Sequence, residues 1–188
     1  MNARLFALID IATMEKNAKT LSWIIETVRN LGATIVEYRN KTGSFEEKKD
    51  DILMIKESLD ASLIVNDDIL LAPFCDGLHL GQDDLLKYAN STAKSVECVR
   101  EIIGGKILGI STHNEKEILE ANSTSVDYIG LGAYRRTYTK NTNNILGERL
   151  STLALLSKKP VAAIGGVKLN DRIANVAYLV IGAGLYED

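Results

Sequence analysis

Eight times along this chain an apolar run of strand length stops at a polar break, and between most of these runs hydrophobic residues fall at helical spacing. That alternation restricts the fold more than any other feature of the sequence. Parallel strands need long crossovers, a right-handed crossover lays its helix outside the sheet, and strands covered on both faces read as unbroken apolar runs. Eight such units close into a (β/α)₈ barrel, with a doubly wound open sheet as the alternative architecture.

The runs lie at residues 5–9, 34–38, 61–65, 75–80, 106–110, 126–131, 161–164 and 178–181. Between the first two, Leu21, Ile24, Ile25, Val28 and Leu31 stripe a helix over 14–31 that Gly32 should stop. Ser44 and Glu47 have capping-box spacing ahead of Ile52, Ile55 and Leu59, and Thr112 with Glu115 has it ahead of Ile118 and Leu119. Val96, Val99, Ile102 and Ile103 mark a further helix ended at Gly104-Gly105, and Leu146, Leu150, Leu153 and Leu156 mark the last. The crossovers after the third and seventh runs are too short for full helices. We therefore expect a small α/β TIM barrel in one domain, 1–188, with those two crossovers shortened and a truncated carboxyl-terminal end.

With 46% hydrophobic residues the chain can bury one sizeable core. A net charge of −3 and a pI of about 5.5 offer no basic field for a polyanion, which argues against a general nucleic-acid binder. Cys75 and Cys98 lack C-x-x-C spacing and read as reduced core thiols of a cytoplasmic protein. The first apolar run begins too soon for a signal peptide and none reaches bilayer length, so no membrane partner is expected. A homo-oligomer is compatible with all of this.

Function concentrates where the strands end. In a barrel of this kind the chemistry sits at the carboxyl ends of the strands. There the sequence places Arg39 and Lys41 after the second run, Asn66 and Asp67 after the third, and His79, Gln82, Asp83 and Asp84 at the fourth. Ser111 and His113 follow the fifth run, the segment from Tyr134 to Lys140 follows the sixth, and Gly165-Gly166 follows the seventh. Cations, hydroxyls and glycine amides suit phosphate, while carboxylates suit a Mg²⁺ that bridges it. Asp67 with either Asp83 or Asp84 is the candidate metal pair. His79, between two leucines in a strand, reads as a packed, hydrogen-bonded histidine rather than a base.

Seven segments then combine into a pattern. Tyr38-Arg39-Asn40-Lys41, Ile64-Val65-Asn66-Asp67, Asp76-Gly77-Leu78-His79-Leu80-Gly81-Gln82-Asp83-Asp84, Gly109-Ile110-Ser111-Thr112-His113, Asp127-Tyr128-Ile129-Gly130-Leu131-Gly132, Thr137-Tyr138-Thr139-Lys140 and Ala163-Ile164-Gly165-Gly166-Val167 occur in the order seen in thiamine phosphate synthases. From about residue 4 to 167 the chain resembles that family, which includes the related thiazole tautomerases.

The resemblance implies a (β/α)₈ fold and the joining of hydroxymethylpyrimidine diphosphate to thiazole phosphate, with Mg²⁺ and release of diphosphate. It implies that Arg39, Lys41, Asn66 and Lys140 hold the diphosphate, that Asp67 and Asp84 hold Mg²⁺, and that Ser111, Thr137 and Thr139 line the substrate pocket. The Gly165 and Gly166 amides would take the thiazole phosphate. Glu37 stands at a pyrimidine contact where the synthases usually have Gln, Asn40 replaces an acid, Tyr134-Arg135-Arg136 replaces an apolar run, and Gly182 stands where the family has Ser. The tautomerases typically lose the N-D, Q-x-D and T-x-T-K segments that this chain keeps, so the expectation is a synthase. A tautomerase with His113 as proton shuttle, or a catalytically silent ligand-binding barrel, are the alternatives.

Overall fold

The computed structural model describes residues 3–136 and 144–186. Its strands β1 (Arg4–Asp10), β2 (Ile35–Arg39), β3 (Ser62–Asn66), β4 (Gly77–Leu80), β5 (Ile107–Thr112), β6 (Tyr128–Leu131), β7 (Val161–Ala163) and β8 (Tyr178–Ile181) pair in sequence order, all parallel. β8 returns to β1 through Phe6↔Val180, so the sheet closes as the barrel the alternation predicted, and the open sheet is excluded.

Alternation along each strand divides the barrel into two apolar volumes. Val36 and Tyr38, Leu63 and Val65, Leu108 and Ile110, and Ile129 and Leu131 join the larger one, which lies under the helices and includes Ile24, Val28, Ile52, Val99 and Ile118. Phe6, Leu8, Ile64, Tyr128, Ala162 and Val180 fill the smaller volume. These are the residues one position out of phase on the same strands, so they point into the barrel itself.

The helices are α1 (Ile11–Lys16), α2 (Leu21–Leu31), α3 (Phe45–Ser58), α4 (Gln82–Leu85), α5 (Thr92–Ile103), α6 (Glu115–Asn122) and α7 (Arg149–Ala154). Ser44 and Glu47 form the expected capping box of α3, and Gly32 ends α2 in a left-handed conformation at φ 68°. The expected single helix over 14–31 is two helices. Ala18 takes a left-handed turn at φ 51° and Thr20 caps α2 through the Trp23 amide, which starts a fresh helix axis.

The cap expected at Thr112 also moves. β5 runs on to Thr112, whose buried hydroxyl donates to the Gly130 carbonyl at 3.1 Å, and Asn114 caps α6 by accepting from the Glu117 amide at 3.0 Å. Leu31, Ile102, Leu119 and Leu156, expected on buried stripes, are exposed, and the last helix is shorter than its stripe, so that Leu146 precedes α7 and Leu156 follows it. The crossover after β3 is a 3₁₀ turn, Ile69–Phe74, and the segment between β7 and β8 carries no helix, as the short spacings indicated. Among the described residues no helix is long and apolar enough to cross a membrane.

Candidate active site at the carboxyl rim of the barrel

Read along the strands, the barrel interior passes from apolar to polar. β1 contributes Phe6, Leu8 and then Asp10; β2 contributes Ile35, Glu37 and then Arg39; β3 contributes Ile64 and then Asn66. Leu8, Asp10, Glu37, Arg39 and Asn66, with His79 and Ser111, line a cavity of about 430 Å³ open at the carboxyl rim. Lys41, Asp67, Gln82, Asp83, Asp84, His113, Gly165 and Gly166 line the same cavity. The structure thus brings together every expected site residue except Thr137, Thr139 and Lys140, which lie outside the described residues.

One wall carries the charges. The Arg39 guanidinium is paired with the Asp10 carboxylate, whose other oxygen caps α1 by accepting from the Thr13 amide at 2.9 Å. Next to it, the Lys41 ammonium bonds Asp67 and lies 3.8 Å from Asp84. Asp67 sits in the left-handed region at φ 59°, and its second oxygen accepts from the Gly81 amide at 2.8 Å. Burial pushes the Asp67 carboxyl up, but the Gly81 amide and the Lys41 ammonium outweigh it and hold the group below the usual carboxylate range. Asp83 is exposed, whereas Asp84 is the member of the pair turned toward Lys41.

The floor is a layer of hydrogen-bonded polar groups. The Asn66 amide donates to Glu37 at 3.0 Å, and its own carbonyl oxygen is buried without a hydrogen-bond partner. A buried orphan acceptor is costly, and at the floor of an open cavity it marks where a ligand donor fits. Burial raises the Glu37 carboxyl above its ordinary value, only partly offset by His79. His79 is buried between Tyr128 and Ser111, the packed histidine that its sequence position indicated. Gln82 donates to the Ser111 carbonyl and ties α4 to the end of β5.

The opposite wall is built from loops. Gly165 and Gly166 have φ of 87° and 65°, and a Cβ on Gly165 would lie 2.6 Å from that of Ala133. Arg135 donates to both oxygens of Asp171, at 2.6 and 2.8 Å, and to the Gly166 carbonyl at 3.0 Å, so it braces this turn. His113 lies at the rim with its ring on Glu117 at 2.9 Å, which holds the Glu117 carboxyl below its usual range although burial opposes it.

Asp10 and Tyr128 are cavity or floor residues that the sequence did not single out individually. Only Asp10 had a local signal, since it ends its strand as Asp67 ends the run of β3.

Among the described residues no group of three or more His, Cys, Asp and Glu is arranged around a metal. Two carboxylates that already converge on one ammonium nonetheless fit Mg²⁺, which takes one or two protein carboxylates and completes its shell with water and phosphate.

Fold and site together define a barrel enzyme whose rim gathers acids, cations and glycine amides for an anionic substrate. A family model described as thiamine monophosphate synthase matches residues 8–183. A thiamine-phosphate synthase of Persephonella marina is 37% identical over 174 residues, covering 89% of this chain and 78% of that protein. One of Vibrio campbellii is 37% identical over 176 residues, covering 89% and 80%. In fold, the chain matches a thiamine phosphate pyrophosphorylase from Pyrococcus furiosus with a TM-score of 0.74 at 24% identity, covering 96% of this chain and 87% of that one. The chain belongs to the thiamine monophosphate synthase family.

Proposed function

We propose that this protein performs the synthesis for which its family is named, joining hydroxymethylpyrimidine diphosphate to thiazole phosphate. The observation that carries the reading is the Lys41 ammonium held between Asp67 and Asp84 beside Arg39, all on one cavity wall. Anions and cations so interleaved are of little use to an apolar ligand. They suit a diphosphate that arrives with a divalent cation.

Asp67 and Asp84 would hold Mg²⁺, which supplies electrostatic stabilisation to the departing diphosphate. Arg39 and Lys41 would carry positive charge to the same group, joined on the motif resemblance by Lys140, and Asn66 would orient the substrate. The C–O bond to diphosphate breaks with its electron pair leaving on oxygen. The resulting pyrimidinylmethyl cation is captured by the lone pair of the thiazole nitrogen, forming the C–N bond. Cations already fixed in place by their acid partners stabilise the developing charge without reorganising. Gly165 and Gly166 would offer backbone amides to the thiazole phosphate and Glu37 and Ser111 would face the pyrimidine, while substrate contacts by Thr137 and Thr139 rest on the motif resemblance alone.

Purified protein given both substrates and Mg²⁺ should release diphosphate and form thiamine phosphate, and release should stop with Asp67→Asn. No diphosphate under these conditions overturns the reading. The ring of His113 on Glu117 at the rim favours isomerisation of thiazole phosphate as the second reading. Loss of isomerisation in His113→Ala, with no coupling activity in either protein, would select it.

A further inference from the structure

A line of three side chains runs from the centre of the barrel to the cavity. Tyr128 on β6 reaches His79 on β4, hydroxyl to Nδ1 at 2.9 Å, and Nε2 of the same ring lies 3.0 Å from the Ser111 hydroxyl on β5. We propose that Tyr128 and His79 are positioning residues that fix the imidazole as its Nε2–H tautomer and so hold the Ser111 hydroxyl as a hydrogen-bond donor to the substrate.

The argument follows one hydrogen atom. The Tyr128 hydroxyl is deeply buried, and burial keeps it protonated by raising its pKa well above the ordinary value. A buried O–H needs an acceptor, and among the described residues its hydrogen-bond partner is His79 Nδ1. Nδ1 therefore accepts, and the ring proton resides on Nε2. Nε2–H donates to Ser111 Oγ, so the serine hydrogen turns elsewhere. Ser111 is half-buried and lines the cavity, while its backbone carbonyl is occupied by Gln82. An acceptor atom of the substrate is the partner left for its hydroxyl. The opposite tautomer would strand the phenolic hydrogen in the barrel interior.

The sheet is hollowed for this line. A Cβ on Gly109 would fall 2.1 Å from Tyr128 Cζ, and one on Gly130 would fall 3.1 Å from His79 Cε1. Gly109 lies beside His79 and Tyr128 in the strand register, and Gly130 beside Ser111. Either glycine replaced by a larger residue would push a ring out of line.

The chain has two histidines, so ¹⁵N-histidine spectra of the ligand-free protein, assigned with His113→Gln, read the His79 tautomer directly. The expected result is a bare Nδ1 and a protonated Nε2, with that preference lost in Tyr128→Phe. A protonated Nδ1 in the wild-type protein, or an unchanged spectrum in Tyr128→Phe, overturns the proposal. This arm needs no turnover, so it stands whether or not the coupling activity is found.

The second arm rests on the proposed function. Tyr128→Phe should lower kcat/KM about tenfold, the scale of one neutral hydrogen bond, and should have no further effect once Ser111→Ala is present. Multiplying losses would show that the two residues act separately and would overturn the proposal. His79→Gln, which keeps a donor toward Ser111, should retain more activity than His79→Leu at matched thermal stability. Equal losses in those two variants count against it.

Discussion

Asp10 and Arg39 end neighbouring strands in direct register, and the Asp10 carboxylate, with its side chain 4% exposed, is neutralised by the guanidinium of a side chain that is 24% exposed. The acid thus holds one terminal nitrogen, Nη1, of a guanidinium whose side chain also lines the cavity. Asp10→Ala removes the cap of α1 and leaves a half-buried guanidinium unpaired, so it should cost about 1–3 kcal/mol in urea unfolding. Asp10→Asn retains an acceptor for the Thr13 amide and should lose less stability. It should still lower kcat/KM roughly ten- to a hundredfold by loosening Arg39. Wild-type kinetics in Asp10→Asn would remove Asp10 from the positioning of Arg39.

The Glu37 carboxyl gives a pH signature. Burial raises its folded-state pKa above the unfolded value near 4.5, so the native state binds the proton more tightly. The associated stability is complete below that unfolded value and is lost as pH rises through the raised one. Glu37→Gln keeps an acceptor for the Asn66 amide and does not titrate. Its stability relative to wild type should therefore climb as pH increases from 4.5, then level off. Denaturant titrations across that range would show parallel curves if Glu37 ionised as readily folded as unfolded.

Lys41 occupies the position between two carboxylates that a divalent cation would take. Lys41→Met should consequently strengthen binding of Mg²⁺ alone, seen by calorimetry, because an ammonium no longer competes. The same variant should weaken diphosphate binding in the presence of Mg²⁺ by roughly ten- to a hundredfold, the scale of a charge-assisted hydrogen bond. Changes in the same direction for both ligands would refute the idea that Lys41 serves each in turn.

At Gly165 the backbone leaves no room for a side chain. The φ of 87° and the 2.6 Å approach to Ala133 mean that Gly165→Ala should cost about 1–3 kcal/mol. If the turn takes the thiazole phosphate, KM for that substrate should rise while KM for the pyrimidine diphosphate holds. Equal changes in both constants would mean that the turn serves the barrel generally.

Much of this protein is readable from its local pattern. The strand positions, the closed barrel and the polar character of the strand ends followed from apolar runs alternating with helical stripes. Whether a strand residue faces the helices or the barrel depends on parity, so Glu37 shares a face with Arg39 and Ile64 shares one with Asn66 before any coordinates exist. The resemblance in motif order added the reaction, which parity cannot supply.

The sequence alone thus determined which residues could meet at the rim. Tertiary structure decided which of them do: that Asp84 rather than Asp83 turns to Lys41, that Asp10 holds Arg39, that Asn114 rather than Thr112 caps α6, and that Tyr128 reaches Ser111 through His79. Helical and strand periodicity is set within a few residues and shows in their order. Partners contributed by different strands depend on register and loop path, which arise only when distant parts of the chain pack around one axis.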